Sequence, residues 1–203
     1  MLFIGILLII FVGILISIFF LIKYLKNNLY FHPYKNHVLD KPSDKIEEKW
    51  VEFKNRNKNI KLHAWYYPID EQPVLLFCHG NAGNISNRVH FMKQMIDCNI
   101  SFFIFDYQGF GKSSGKTFLE SIYSDADVCY EYLKNELKIK NIIPIGESIG
   151  SFAAAKVAKE KKCEKLILFA GINSISSVVE KLMPLPFIKW LTKGDLDVGK
   201  NLK

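Results

Sequence analysis

Hydrophobic and polar positions divide the 203-residue chain into three regimes. From Leu2 to Ile22 there is no charge, and only Gly5, Gly13 and Ser17 interrupt the large apolar side chains. As a helix this run spans about 31 Å, enough for a hydrocarbon core of about 30 Å. Its eighteen Leu, Ile, Phe and Val residues favour insertion by roughly 5 to 11 kcal/mol on the biological scale. A cleaved signal peptide fits badly. No basic residue precedes the run, no small-x-small site follows it, and it is too long for an h-region.

The second regime alternates. Trp50 to Phe53 and Ile60 to Tyr66 flank the turn-like Asn55 to Asn59, which predicts a β-hairpin whose cations (Lys54, Arg56, Lys58, Lys61) form a solvated tip. From Val74 the period changes again. Val74 to Cys78, Ile100 to Phe105, Ile142 to Ile145 and Leu166 to Phe169 are continuous apolar runs, the mark of strands buried on both faces of a parallel sheet. Between and after them, helical spacing covers Ser86 to Asp97, Thr117 to Leu137, Phe152 to Val157 and Ile175 to Met183. Thr117 and Glu120 have the spacing of a capping box. The alternation predicts an α/β fold with a right-handed, mostly parallel sheet and helices on both faces. Pro144 is unusual in this scheme, because a proline cannot donate to a sheet ladder.

Charge and cysteine content add location. Lys23, Lys26 and Lys35 follow the apolar run and no Lys or Arg precedes it. The positive-inside rule then predicts a single-pass membrane protein with its domain on the cytoplasmic side. Cys78, Cys98, Cys129 and Cys163 lie in apolar strand or helix patterns without metal-ligand spacing, and read as buried free thiols of a reducing compartment. The net charge of +7 is spread over lysines along the whole chain, as expected of a solvated exterior. The predicted division is an anchor over 1–23, a juxtamembrane connector over 24–49 and a globular domain over 50–203. In the connector, His32 and His37 read as ordinary loop histidines.

The chemistry concentrates at Asn141 to Val157, where an apolar strand, Gly146-Glu147-Ser148-Ile149-Gly150 and a small-residue helix follow one another. Strand, G-x-S-x-G and helix describe a nucleophile elbow. A serine at so tight a turn is backbone-strained, so the residues two before and two after it must be nearly free of side chain. The helix N-terminus behind Ser148 also presents a backbone N–H where an oxyanion would form. Two further loops end buried strands: His79-Gly80-Asn81-Ala82-Gly83-Asn84, and Asp106 to Gly115. Within the second, Gly111-Lys112-Ser113 resembles the end of a phosphate-binding loop. The full pattern needs a glycine five residues before Gly111, and Asp106 stands there, so no nucleotide is expected.

HGNAGN, DYQGFGKSSG and GESIGS, in that order and spacing, resemble the α/β-hydrolase superfamily. They are most similar to its membrane-anchored abhydrolase-domain serine hydrolases, which include esterases, lipid hydrolases and protein depalmitoylases. The similarity runs from about Trp50 to Lys203. It implies Ser148 as nucleophile, the N–H groups of Ile149 and Asn81 as oxyanion hole, and a structural rather than basic role for His79. It also implies a small acyl ester or thioester substrate beside a lipid bilayer, with no cofactor, metal or nucleic acid. Gln108 stands where an arginine is common in that family.

A Ser-His-acid triad needs a base and an orienting acid, and in this fold their chain order is Ser, then Asp or Glu, then His. His32, His37, His63, His79 and His90 all precede Ser148. Asp195 and Asp197 come before the strand that would carry the acid, and Pro184 to Trp190 corresponds to a cap segment. The sequence therefore reads as an α/β-hydrolase fold incomplete at its C-terminus. Three readings stay open: a fragment or truncated product of an active hydrolase, a degenerate chain, or a membrane-tethered binding protein that has lost its chemistry.

Overall fold

The structure is a computed structural model that describes residues 2–55, 58–174, 176–178 and 197–199; for residues 2–4, 7–8, 23 and 25–29 it describes the backbone alone. In chain order the elements are α1 (Leu2–Tyr30), β1 (His32–Pro33), β2 (Glu47–Asn55), β3 (Lys58–Tyr67), β4 (Val74–Cys78) and β5 (Ala82–Gly83). A 3-10 turn over Ile85–Arg88 leads into α2 (Val89–Asp97), followed by β6 (Phe102–Phe105), α3 (Leu119–Asn135), β7 (Ile142–Glu147), α4 (Gly150–Glu160) and β8 (Ile167–Phe169). The chain forms two compact units, Met1–His32 and Pro33–Lys203.

The first unit is built on α1, a 29-residue helix over the uncharged run. Its longest unbroken stretch of described side chains is Ile9–Ile22. Among the described residues no helix is long and apolar enough to cross a membrane.

In the second unit, six strands make one sheet in the order β2-β3-β6-β4-β7-β8. β2 and β3 form the antiparallel hairpin, with Asn55 opposite Lys58. β3 also pairs antiparallel with β6, and from β6 onward all neighbours are parallel. Strict alternation sends Phe77, Phe102 and Ile104 to one face, where they pack with Val89, Met92 and Met95 of α2. On that face Phe77, Phe91 and Phe169 stack pairwise at 5.2–5.8 Å. The opposite face carries Leu76, Phe103 and Phe105, all buried. There Phe103 meets Tyr132 of α3 at 6.0 Å between ring centroids, and α3 packs beside α4. Helices on both faces of a mostly parallel sheet make this a three-layer α/β arrangement.

Pro144 is accommodated by the short neighbour. It lies opposite Leu76 of β4, but β8 pairs with β7 only from Ile145 onward, so one flank of Pro144 has no strand awaiting a donor. Three expectations change. The Ser86 to Asp97 helix begins as the 3-10 turn, because Asn84 takes the Ser86 N–H and its own N–H is taken by Asn87. At α3 the capping partners are Phe118 and Ser121 instead of Thr117 and Glu120: Ser121 Oγ accepts the Phe118 N–H, and the Thr117 hydroxyl donates to the Gln108 carbonyl. Cys78 and Cys129 are buried, but Cys98 is exposed and Cys163 half-buried, and all four are free. Of the helix expected over Ile175 to Met183, only Ser176–Val178 is described, and it is helical. The Pro184 to Trp190 stretch and Asp195 lie outside the described residues.

Candidate active site

Ser148 sits in the turn between β7 and α4 with φ of +50°. That is the left-handed region, which costs an L-residue with a side chain roughly 1–2 kcal/mol. The surroundings enforce it. A Cβ on Gly150 would lie 2.0 Å from the Cys78 carbonyl oxygen and 2.7 Å from that of His79. A Cβ on Gly146 would lie 2.6 Å from Ser151 Cα. The chain therefore turns within three residues while α4 is driven against the end of β4. Two hydrogen bonds fix the turn: Ser148 N–H to the Phe169 carbonyl at 3.2 Å and Ser151 N–H to the Ser148 carbonyl at 3.0 Å. Ser148 itself stays half-buried. Ile149 caps α4, so its amide is among the N-terminal N–H groups that have no carbonyl one turn earlier.

The first glycine-rich loop is held against this elbow by Glu147. Its Oε2 accepts the Gly80 N–H at 2.9 Å and the Arg88 Nε–H at 2.9 Å. Arg88 in turn donates to the Ala82 and Asn84 carbonyls. Burial raises the Glu147 carboxyl, but the hydrogen bond and charge of Arg88 outweigh it and leave it below its ordinary value. Because Gly80 is bonded to the residue before Ser148, the next residue, Asn81, lies at the same sheet edge as Ile149. Both expected oxyanion amides thus share one edge with Ser148.

His79 is fully buried, and burial, reinforced by the Arg88 charge, pushes its imidazole down to about 4. It is neutral at pH 7. Nδ1 donates to the Gly80 carbonyl at 2.7 Å, and the Tyr107 hydroxyl donates to the His79 carbonyl. These are loop-shaping bonds. In the second loop, Gln108 donates its backbone N–H and side-chain amide to Asp125 of α3. Burial pushes that carboxyl up to about 7 despite both bonds.

Sequence reasoning missed a third feature. Asp106, at the end of β6, is completely buried and surrounded by imidazoles. His37 Nε2 lies 3.2 Å from Asp106 Oδ2, His63 Nδ1 lies 3.5 Å from the same oxygen, and His79 Nε2 lies 3.9 Å from Oδ1. The Ile85 N–H donates to Oδ1. Burial opposes the charge, but the surrounding imidazoles, led by His37, and the Ile85 N–H hold the carboxyl far below its usual range. His37 is therefore no ordinary loop histidine. The signal in the sequence was His63, a titratable group inside a strand that reads as core.

A cleft of about 510 Å³ lined by Tyr66, Ile69, Leu137 and Asn141 opens beside the amino ends of β4 and β7. It is at the opposite edge of the sheet from Ser148, and its lining, with Asp70, Glu71, Lys138 and Lys140 among it, holds no serine, cysteine or histidine. The geometry around Ser148 gives a direct expectation for Gly150→Ala. Alanine normally gains up to about 1 kcal/mol over glycine in a helix. Here the methyl group meets a backbone carbonyl that cannot swing away, and the variant should lose about 3 kcal/mol in urea unfolding. A neutral or stabilising result would show that α4 does not press on β4.

The chain is similar in sequence and in fold to proteins of one group. The profile of the serine aminopeptidase S33 family matches residues 70–198. Alpha/beta hydrolase domain-containing protein WAV2 of Arabidopsis thaliana is 32% identical over 158 residues, covering 73% of this chain and 49% of that protein. Alpha/beta hydrolase domain-containing protein 17C of Mus musculus is 35% identical over 106 residues, covering 50% and 32%. This chain thus spans about half or less of the length of these relatives. Among solved structures, an alpha-beta hydrolase from Vibrio vulnificus superposes with a TM-score of 0.71 at 21% identity, covering 90% of this chain and 71% of that one. An esterase of Pyrococcus furiosus gives 0.64 at 19% identity, covering 83% and 71%. With the profile matched across most of the globular unit and this fold beneath it, the chain belongs to the serine aminopeptidase S33 family of α/β-hydrolases.

Proposed function

We propose that this chain carries the nucleophile and oxyanion half of a membrane-anchored serine hydrolase acting on acyl esters or thioesters. Ser148 is the nucleophile, and the N–H groups of Ile149 and Asn81 receive the oxyanion. The reading rests on one observation, the left-handed Ser148 turn pinned between glycines that have no room for a side chain. Such strain persists only where the surroundings over-determine it, and it aims the hydroxyl away from its own helix. At the start of α4, the amide of Ile149 and the helix dipole would stabilise a tetrahedral oxyanion, the contribution that counts most in acyl transfer. The uncharged run over α1 and the lysines after it support a single-pass anchor with the domain on the cytoplasmic side. An anchored site beside a bilayer favours acylated or lipid substrates.

A second reading, a membrane-tethered binding protein without turnover, is favoured by the histidines. His37, His63 and His79 converge on Asp106 instead of on Ser148. A neutral serine without a base is a weak nucleophile at pH 7.

The two readings separate in a chimera that appends to Lys203 the portion of the Arabidopsis relative following its matched segment. A fluorophosphonate probe should label the folded chimera at Ser148, label the 203-residue chain at least 100-fold more slowly, and leave Ser148→Ala unlabelled. Labelling that survives Ser148→Ala would remove this serine from the chemistry, and a folded but inert chimera would favour the binding protein. Anchoring is checked on the exposed Cys98. An impermeant thiol reagent should reach it only after cell lysis, with the full chain retained in the membrane pellet at alkaline pH. Modification in intact cells would place the domain outside.

A further inference from the structure

We propose that His37, His63 and Asp106 form a binding site for a divalent first-row transition ion, with Zn²⁺ its natural occupant. Their ligand atoms, His37 Nε2, His63 Nδ1 and Asp106 Oδ2, all lie within 4.8 Å of one another. Two of the three separations are 3.2 Å and 3.5 Å. A tetrahedral ion with bonds of about 2.0–2.1 Å sets its ligands roughly 3.3 Å apart, so two of the three pairs already stand near the edge length such an ion requires.

The decisive atom is His63 Nδ1, which is buried without a hydrogen-bond partner. The reason lies on the other side of the ring. His63 Nε2 contacts Glu48 Oε1 at 2.5 Å, and the imidazole is thus wedged between two carboxylates. With its single proton on Nε2 facing Glu48, it turns a bare lone pair toward Asp106 Oδ2. Moving the proton to Nδ1 only transfers the conflict to Glu48. A cation between Nδ1 and Oδ2 resolves it, as a second proton on the ring would, and the nearby His37 Nε2 gives a metal ion a third ligand that a proton does not use. Glu48 then takes the part that a carboxylate commonly plays behind a metal-bound histidine, holding the far N–H and fixing the tautomer. His37 completes the set by carrying its proton on Nδ1 and offering the Nε2 lone pair. Mixed nitrogen and oxygen donors of this kind suit Zn²⁺ and its neighbours, not the oxygen-seeking Ca²⁺ or Mg²⁺.

The surroundings favour a site of limited access. The side chains of His63 and Asp106 are 0% exposed, and that of His37 is 13% exposed. Trp50 and Trp65 wall the cluster, with ring centroids 4.9 Å from His63 and 5.4 Å from His37. The solvent-facing side of His37 is the entry path, and the fourth position falls to water. The ion joins three segments distant in sequence: the stretch before β2 through His37, β3 through His63, and the end of β6 through Asp106. Its role is to fasten the His37 segment to the sheet. Ser148 does not depend on it.

The test uses the full 203-residue chain, purified in mild detergent without a histidine tag and stripped with a chelator. Zn²⁺ added against a chromogenic competitor should bind one per chain, and Co²⁺ should give the visible absorption of a tetrahedral N/O site. His37→Ala, the variant with least cost to packing, should lose that binding while retaining its circular dichroism spectrum. Glu48→Gln should weaken it by about 10- to 100-fold, and His90→Ala should leave it unchanged. Zn²⁺ should raise the melting temperature of the parent chain and not that of His37→Ala. Absence of Zn²⁺ uptake and of a Co²⁺ spectrum in the parent chain would overturn the proposal without any variant. Uptake that His37→Ala leaves intact would overturn it equally.

Discussion

The contact on which the rest of the molecule depends is between the first residue of α4 and the last carbonyl of β4. Gly150 approaches the Cys78 oxygen so closely that no side chain fits between them. This approach lets α4 start directly behind Ser148, and it leaves the serine no conformation except the left-handed one. Nothing in the serine's own chemistry favours that conformation. It is imposed by sheet and helix, whose burial is large enough to outweigh a local cost of about 1–2 kcal/mol. The buried side chains of α4, Phe152, Ala153, Ala154, Ala155 and Val157, show how the cost is met. Small residues bring the helix close, and one large ring anchors it.

From that contact the loops follow in order. Glu147 is both the last residue of β7 and the acceptor for Gly80 and Arg88, so the elbow and the first loop move as one piece. His79 turns its imidazole inward to the Gly80 carbonyl, and its neutral state at pH 7 spares the site a buried charge. Behind it, Asp106 gathers the Ile85 N–H and three imidazoles, linking the chain before β2, β3 and the start of the 3-10 turn to the end of β6. The two clusters share His79 and little else. One presents a serine, the other holds the scaffold.

How much of this was legible in the sequence depended on how local each cause is. The elbow was, because its glycines, serine and strand are contiguous and the steric reason acts within five residues. The hairpin and the buried strands were legible from period alone. Thr117 was misread because its hydroxyl is claimed by Gln108, a contact that helix-cap spacing cannot see. Cys98 follows the last residue of α2 and is exposed, although Ile96 and Ile100 stand two residues to either side. The Asp106 cluster was invisible for a different reason. His37 and His63 stand 69 and 43 residues from their carboxylate (106 − 37 and 106 − 63), and it is the antiparallel pairing of β3 with β6 that brings His63 to Asp106. A buried histidine in a core strand was the one clue, and a single polar residue in such a strand does not name its partner.

The claim at the centre is that Ser148 is strained by its surroundings. Comparing the unfolding free energies of Ser148→Gly and Ser148→Ala measures this directly, since both remove the hydroxyl and differ in tolerance of positive φ. At an ordinary position glycine is the less stable of the two by roughly 0.5–1 kcal/mol. Here Ser148→Gly should be the more stable by about 1 kcal/mol, because glycine adopts the left-handed turn without penalty. A Ser148→Ala variant equal to or more stable than Ser148→Gly would contradict a strained elbow.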